Sequence, residues 1–276
     1  MILVAGSTGN AGGAVVHALA NAGEEVRALV RDTDHSPLPP GVEAAVGDLN
    51  RPGTLASHFD GVTAAFLLSG YEGLDETLAN MLRAGVERVV LLSSSAAPSG
   101  DLSNAVARYH ILSELAVRES GLAWTFLRPN SFMTNTLQWL PQLRLGDVIH
   151  APFPDVRVAT IDPDDLGAVA AAALTSDAHE GLGYRLSGPQ SLLPAERVAI
   201  LAKVLGRELR FEGQSNEQAR AEMSDAMPAE YVDAFFRFFA EGELDESQVL
   251  PTVQDITGRP PRRFEEWARA HADAFS

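Results

Sequence analysis

Three glycines near the start of the chain, at positions 6, 9 and 12, constrain its fold more than any other feature. They lie in Gly6-Ser7-Thr8-Gly9-Asn10-Ala11-Gly12, between an apolar strand pattern at 2–5 and a helical pattern at 13–21. In a strand–turn–helix unit the first glycine permits a tight turn, the second admits a diphosphate, and the third lets the helix pack closely. The first-turn amides then face the anion at the positive end of the helix dipole. These seven residues therefore predict a dinucleotide site.

Short apolar runs alternate with helical patterns through the first half of the chain, which is typical of parallel βαβ units. The further strands are predicted at 25–30, 43–46, 64–68, 88–93 and 124–128, and the further helices at 52–59, 74–84 and 105–120. Pro129 ends the sixth strand because proline has no amide proton for a strand ladder. We predict an α/β fold, a doubly wound parallel sheet of the Rossmann type, with residues 1–130 as the NAD(P)-binding domain.

The pattern changes after Asn130. Helices are predicted at 137–143, 163–174 and 194–205, strands at 156–161, 183–186 and 208–211, and mostly helix from there to the end. Pro163 and the acids after it are typical of a helix start. We predict a smaller, mainly helical substrate-binding lobe over 131–276, with 156–175 as the segment that could return to the first domain.

The ends of the strands indicate which dinucleotide is bound. Arg31 lies at the tip of the second strand, where a guanidinium suits the 2′-phosphate of NADP. Asp32 follows it, and an acid there suits NAD, so we predict NADP with NAD as the alternative. Asp48 and Leu49 fall beside the adenine, although Asp48 could equally cap the next segment. Leu68 and Ser69, at the end of the fourth strand, are predicted along the ribose and diphosphate path.

Composition excludes several classes of partner. With 37 acidic and 21 basic residues the net charge is −16, which disfavours nucleic acid because phosphate-backbone binding depends on clustered Lys and Arg. The absence of cysteine excludes disulfides and thiolate sites. No apolar run reaches the roughly 18 residues of a membrane span, and the N-terminus does not resemble a signal peptide. We expect a cytoplasmic protein, and we expect no metal because the histidines lack ligand spacing.

The chain resembles the NmrA-like branch of the atypical short-chain dehydrogenase/reductases. The segments that carry the resemblance are the glycine turn, Val26-Arg27-Ala28-Leu29-Val30-Arg31, Gly47-Asp48-Leu49, Leu91-Leu92-Ser93-Ser94-Ser95, Leu127-Arg128-Pro129-Asn130-Ser131-Phe132-Met133, Leu186-Ser187-Gly188-Pro189 and Thr257-Gly258-Arg259-Pro260-Pro261. The resemblance implies NAD(P) binding, with Ser93 among the coenzyme residues. It also implies that Pro129, Asn130 and Ser131 line the hydride-transfer end, although Asn130 could equally be a turn residue.

Typical members of the wider superfamily use a serine, a tyrosine and a lysine four residues after the tyrosine. The resemblance places Ser95 at the serine position, with Ser94 as an alternative, and Tyr109 at the tyrosine position. Four residues after Tyr109 stands Ser113, and the single lysine, Lys203, lies in the second half of the chain. The usual Tyr–Lys pair is therefore missing.

The direction of the reaction follows from tyrosine chemistry. An unassisted tyrosine titrates near pH 10, so it keeps its proton at neutral pH and can donate it during reduction. Ionising it for alcohol oxidation would cost about 4 kcal/mol. Quinones and conjugated enones need the weakest acid, because their reduced anions are themselves stabilised. Some NmrA-like proteins resemble quinone reductases. His110 is a further candidate acid, and Tyr109 could instead only pack.

Large apolar side chains indicate where a substrate could bind. Tyr231 and Phe235 share one face of a predicted helix, and Phe132, Met133 and Trp139 are candidates for the opposite wall. Core packing is the alternative for this helix, since it is apolar on two sides. A pocket of this kind fits a flat, apolar, uncharged molecule. The leading hypothesis is an NADP(H)-dependent reductase of an apolar quinone, enone or ketone, and the rival is a non-catalytic NAD(P) redox sensor that regulates a partner.

Overall fold

A parallel seven-stranded sheet forms the centre of the fold. The computed structural model describes residues 1–32 and 38–275. Its strands are β1 (Ile2–Val4), β2 (Val26–Val30), β3 (Glu43–Val46), β4 (Ala64–Leu68), β5 (Arg88–Leu92), β6 (Ala123–Pro129), β7 (Val148–Ala151), β8 (Leu182–Leu186) and β9 (Arg210–Gly213). The central sheet has the order β3-β2-β1-β4-β5-β6-β8. Every neighbouring pair is parallel, and β7 and β9 form a separate parallel pair.

Helices cover both faces of this sheet. The helices of the described residues are α1 (Asn10–Asn21), α2 (Leu74–Ala84), α3 (Ala105–Glu119), α4 (Leu140–Leu145), α5 (Pro163–Thr175), α6 (Pro194–Leu205), α7 (Asn216–Ala226), α8 (Ala229–Phe239), α9 (Thr252–Thr257) and α10 (Phe264–Ala270). One core lies under α1 and α5, and the other lies under α2 and α3. A third core joins α6 and α10 to the segment after β6. The predicted fold class, a doubly wound parallel sheet with a smaller, mainly helical part, is confirmed.

The sheet places a ligand crevice at its carboxyl edge. Strands β4 and β5 are almost wholly apolar because both of their faces are covered by helices. The chain runs outward from β1 to β2 and β3 on one side, and to β4, β5 and β6 on the other. Ligands of such sheets bind outside the strand ends where this reversal occurs. The glycine turn follows β1 at this point, and Leu68 ends the neighbouring β4.

The second half of the chain contributes to the central sheet. Strand β8 pairs with β6 and extends the sheet at that edge. Helix α5 lies directly on α1, because Gly167 has no side chain and an added Cβ would lie 2.7 Å from the backbone of Ala14. The division of the chain near residue 130 stays a prediction. Strand β8 and helix α5, which both come after that position, belong to the central sheet and to the helices that cover it.

Helix α1 begins at Asn10 rather than at residue 13, so Gly12 lies in its first turn. The helix predicted at 52–59 is two short 3-10 turns, Pro52–Thr54 and Ala56–Phe59. Such short pieces often close as 3-10 turns because an isolated short α-helix is barely stable.

The strand predicted at 156–161 is wrong. Val158 bridges to Leu192, the amide of Ala159 donates to Glu246, and Ile161 bridges to Phe132. A ladder needs one continuous partner strand, and these residues have three different ones. Their apolar pattern reflects burial alone. Strand β7 was not predicted from the sequence.

Candidate functional site

The glycine turn after β1 is too tight for side chains at two of its three glycines. Gly6 has a φ of +63°, and a Cβ there would lie 2.6 Å from Cδ1 of Leu68. A Cβ at Gly12 would lie 2.3 Å from the carbonyl oxygen of Gly6, so α1 starts against the turn itself. At Gly9 a Cβ would meet only that same oxygen, at 3.3 Å, and Gly9 is exposed. Gly9 therefore marks the side from which a ligand can approach the backbone.

The amino-terminal end of α1 is open to an anion. Its capping residue is Gly9, no side chain caps it, and its first turn contains no acid. The first amides of a helix have no partner inside the helix, and the helix dipole favours negative charge there. The turn and the helix start therefore fit the diphosphate of a dinucleotide. Among the predicted contacts, Thr8 and Asn10 are exposed and Ala11 is buried.

Two of the predicted coenzyme residues use their side chains within the protein. The hydroxyl of Ser7 is buried and donates to the carbonyl of Leu29 at 2.7 Å, which ties the turn to β2. One carboxylate oxygen of Asp48 accepts from the amide of Asn50 at 2.9 Å, the capping role that was the alternative for this residue. The hydroxyl proton of Ser7 is therefore not available to a ligand in this arrangement.

The remaining coenzyme candidates lie along the carboxyl edge. Arg31 is exposed directly after β2, and Leu49 is buried after β3. The hydroxyl of Ser69 donates to the carbonyl of Leu92 at 2.8 Å and so joins the ends of β4 and β5. Leu68 packs against Gly6 between these strand ends and the glycine turn.

Tyr109 lies on α3 beside the loop that follows β4. A Cβ at Gly70 would lie 3.2 Å from its ring. Burial raises the pKa of Tyr109, and the nearby Tyr231 of α8 adds to the effect. Ser113, at the position where a lysine is usual, donates to the carbonyl of Tyr109 at 2.8 Å and accepts from the amide of Gly70 at 3.1 Å. Ser113 therefore fixes α3 to the loop.

The ring of His110 lies beside that of Tyr109, with the centroids 4.1 Å apart and the ring planes tilted by 39°. Burial lowers the pKa of His110 to about 4, although the charge of Glu114 acts in the opposite direction. Its Nδ1 atom is buried and has no hydrogen-bond partner among the described residues. The imidazole is therefore neutral at neutral pH, which disfavours His110 as the acid.

Glu114 is buried in a structural network. It accepts two hydrogen bonds from Arg128, at 2.8 and 2.6 Å, and one from the hydroxyl of Ser93 at 2.7 Å. Ser93, a predicted coenzyme residue, is 3% exposed, and its hydroxyl is directed to this carboxylate. The network ties α3 to β5 and β6 below the carboxyl edge.

A buried carboxylate that sequence reasoning missed lies at the ends of β5 and β6. Glu246 belongs to the segment between α8 and α9 and is 5% exposed. Its Oε1 atom accepts from the hydroxyl of Ser95 at 2.6 Å, and its Oε2 atom accepts from the hydroxyl of Ser131 at 2.7 Å and from the amide of Ser131 at 3.1 Å. No motif or periodicity surrounds Glu246. The structure therefore brings Ser95 and Ser131 together through a residue from a distant segment.

Asn130 and Pro129 complete this edge. The amide nitrogen of the Asn130 side chain donates to the carbonyls of Glu246 and Ala159, at 3.0 and 3.3 Å. Both partners can only accept, which fixes the orientation of the amide group. Its oxygen is buried and lacks a hydrogen-bond partner in residues 1–32 and 38–275. Pro129 is buried at the last paired position of β6.

The predicted substrate residues divide into two groups. Met133 and Trp139 are each 1% exposed and belong to the third core, so they offer no surface to a ligand in this structure. They share one face of a 3-10 helix, Met133–Trp139, whose spacing places residues three apart on the same side. Phe132, Tyr231 and Phe235 are half-buried and retain accessible surface. Helix α8 packs on α3, which places Tyr231 close to Tyr109.

The part of the chain that the structure describes, 1–32 and 38–275, lacks two further kinds of feature. No group of three or more His, Asp or Glu side chains is arranged to hold a metal ion. No helix there is both long enough and apolar enough to cross a lipid bilayer.

Comparisons with known proteins agree with this architecture. The chain is 40% identical over 281 aligned residues to the (4-alkanoyl-5-oxo-2,5-dihydrofuran-3-yl)methyl phosphate reductase of Streptomyces griseus subsp. griseus, covering 100% of this chain and 99% of that protein. It is 36% identical over 285 residues to the NAD(P)H azoreductase of Xenophilus azovorans, with coverages of 100% and 99%. An NADPH-dependent quinone oxidoreductase from Escherichia coli has the same fold, with a TM-score of 0.81, 23% identity and coverages of 99% and 100%.

The family is shown by a match over nearly the whole chain. The profile of the NmrA-like family covers residues 1–268, from the first strand to the last α-helix. The resemblance seen in the sequence is confirmed, and this chain belongs to the NmrA-like family.

Proposed function

We propose that this protein is an NADPH-dependent reductase of conjugated carbonyl compounds, that is, quinones or enones. The observation that carries the proposal is the near-complete alignment, at 40% identity, with a reductase whose substrate is a furanone phosphate. In a 5-oxo-2,5-dihydrofuran the ring double bond is conjugated to the ring carbonyl. A conjugated acceptor of this type matches the substrate class that the chemistry of Tyr109 favours.

The residues of this chain are suited to reduction. When bound, the reduced nicotinamide supplies a hydride. Addition of a hydride to a conjugated acceptor leaves negative charge that is spread over the carbon skeleton and an oxygen. Tyr109, with a raised pKa, keeps its proton and can deliver it to that oxygen. A serine stands at position 113, so Tyr109 has no lysine there to assist its ionisation. A saturated ketone is the poorer substrate, because its reduced anion is more basic and its charge is localised on oxygen.

In this proposal Arg31 is the residue that makes the protein prefer NADPH over NADH. It is exposed at the end of β2, where the adenosine ribose of a dinucleotide would lie. We expect Arg31→Ala to weaken NADPH binding about 10- to 100-fold, which corresponds to one hydrogen-bonded ion pair with a phosphate. NADH binding should stay unchanged. Arg210→Ala is the matched control, since Arg210 is also exposed but lies on β9 in the separate sheet.

The test of the activity is NADPH oxidation with a matched series of acceptors. A cyclic enone, the corresponding saturated ketone and a benzoquinone are each offered to the purified protein, and loss of nicotinamide absorbance is followed. Turnover should be fastest with the quinone or enone and at least about tenfold slower with the ketone. The variant Gly9→Ala should impair coenzyme binding, whereas Gly53→Ala should not, because a Cβ at Gly53 meets nothing within 4 Å. No turnover with any acceptor would contradict the proposal.

A non-catalytic NAD(P) sensor is the second candidate, and the serine at position 113 is the observation that favours it. A sensor should bind the coenzyme tightly, discriminate its oxidised from its reduced form, and oxidise no acceptor. The same assays therefore separate the two functions.

A further inference from the structure

The hydroxyls of Ser95 and Ser131 and the backbone amides of Ser95, Asn130 and Ser131, at the carboxyl ends of β5 and β6, all donate hydrogen bonds within the protein. The hydroxyls of Ser95 and Ser131 both donate to Glu246. The amide of Ser131 also donates to Glu246, and the amide of Asn130 donates to Leu186 at 2.8 Å. The amide of Ser95 donates to Pro129 at 3.1 Å.

The direction of these hydrogen bonds follows from the groups involved. A hydroxyl has a single proton, and an ionised carboxylate can only accept. Each serine that gives its proton to Glu246 therefore retains only lone pairs for another partner. The side-chain oxygen of Asn130 is also an acceptor, but it is buried and offers no surface to a ligand.

We infer that Glu246 is a positioning residue that turns Ser95 and Ser131 into hydrogen-bond acceptors for the carboxamide N–H of the nicotinamide. This inference rests on the proposed function: a dinucleotide whose diphosphate lies at the glycine turn extends along the carboxyl edge of the sheet, which includes the ends of β5 and β6. A carboxamide offers two N–H donors, and the hydroxyl oxygens of Ser95 and Ser131 supply acceptors for them. Residues at the carboxyl edge of these strands therefore bind the carboxamide of the coenzyme. This contact fixes the orientation of the nicotinamide ring.

A consequence for catalysis follows. Ser95 stands at the serine position that the resemblance implies, and it donates its proton to Glu246. Ser95 therefore does not assist the substrate oxygen as a donor, which leaves the hydroxyls of Tyr109 and of Ser94, whose oxygen accepts from the amide of Ala96 at 3.1 Å.

The test compares NADPH with its 3-acetylpyridine analogue, in which a methyl group replaces the amide nitrogen. Dissociation constants of the two are measured by titration of the purified protein, without any acceptor. The wild-type protein should bind the analogue about 5- to 10-fold more weakly, the effect of one or two lost hydrogen bonds. The ratio of the two constants is unaffected by a general loss of protein stability.

Glu246→Gln is the main variant. The side-chain amide nitrogen of a glutamine can donate to the hydroxyl oxygen of Ser95, so the serine hydroxyl can turn and direct its proton towards the coenzyme. The preference for NADPH over the analogue should then fall to about twofold or less. Glu241→Gln is the matched control, since Glu241 is exposed on the same segment, and it should keep the wild-type ratio. Ser95→Ala, which removes one acceptor, serves if Glu246→Gln does not fold, and it should also reduce the ratio.

Three outcomes would overturn the inference. Equal binding of NADPH and the analogue by the wild-type protein would show that the amide is not recognised. An unchanged ratio in both Glu246→Gln and Ser95→Ala would show that these residues do not recognise it. Failure of the wild-type protein to bind NADPH would overturn the proposed function as well, whereas NADPH turnover with an unchanged ratio would overturn this inference alone.

Discussion

The close contact at Gly12 gives the sharpest prediction about stability. In Gly12→Ala the new methyl carbon would lie 2.3 Å from the carbonyl oxygen of Gly6 and 2.6 Å from that of Ala5. A normal contact needs about 3.5 Å, so α1 would have to move by about 1 Å. Movement away from the turn is opposed on the other side of α1, where Gly167 brings the backbone of α5 against Ala14.

The magnitude follows from two opposing effects. Adding a methyl group to a filled site costs about 1 to 3 kcal/mol, and the upper end applies because the obstacles are backbone atoms. Replacing a helical glycine by alanine raises the free energy of unfolding by about 1 kcal/mol, because alanine loses less backbone entropy on folding. We expect Gly12→Ala to lower the free energy of unfolding by about 2 kcal/mol. Gly13→Ala is the control, since its methyl group would meet the carbonyl of Ser7 at 3.3 Å and the variant should be as stable as the wild type or slightly more stable.

The assay is urea unfolding followed by circular dichroism and tryptophan fluorescence. The slope of the free energy with urea should match between the two variants, so that midpoints can be compared directly. Coenzyme affinity of the folded Gly12→Ala protein should also fall, because the turn and the helix start are displaced together. If Gly12→Ala were as stable as Gly13→Ala, the tight packing of α1 on the turn would be refuted.

Two further predictions concern buried charges. Arg128→Met leaves the buried carboxylate of Glu114 without its main partner and should lower the free energy of unfolding by about 3 kcal/mol, whereas Arg108→Met breaks an exposed pair and should cost under about 1 kcal/mol. Equal urea midpoints for these variants would contradict the importance of the buried pair. Because the pKa of His110 is about 4 in the folded protein and 6.5 ordinarily, the stability from its neutral form is complete above pH 6.5 and is lost as the pH falls towards 4. The loss should reach about 3 kcal/mol and should be absent from His110→Gln, so identical pH profiles of the urea midpoint for the two proteins would refute the assignment.

The sequence by itself determined the layers of the fold and the glycine turn after β1, because both depend on local patterns. The glycine spacing, the apolar run before it and the helical period after it are all contained in the first 21 residues. Strands β3 and β4 and helices α2 and α6 have the predicted bounds, since each combines an apolar period with clear ends. Recognition of the family depended on the same short segments.

The tertiary structure alone decided what each polar side chain does. Ser95 and Glu246 are 151 positions apart, and no periodicity connects a strand end to a coil segment at that distance. The burial of His110 and the anchoring role of Ser113 also depend on how α3 packs against its neighbours. Residues 156–161 illustrate the limit, because an apolar pattern indicates burial but not which partner supplies the hydrogen bonds. Local sequence sets local geometry, whereas the direction of a hydrogen bond depends on which distant group is brought to face it.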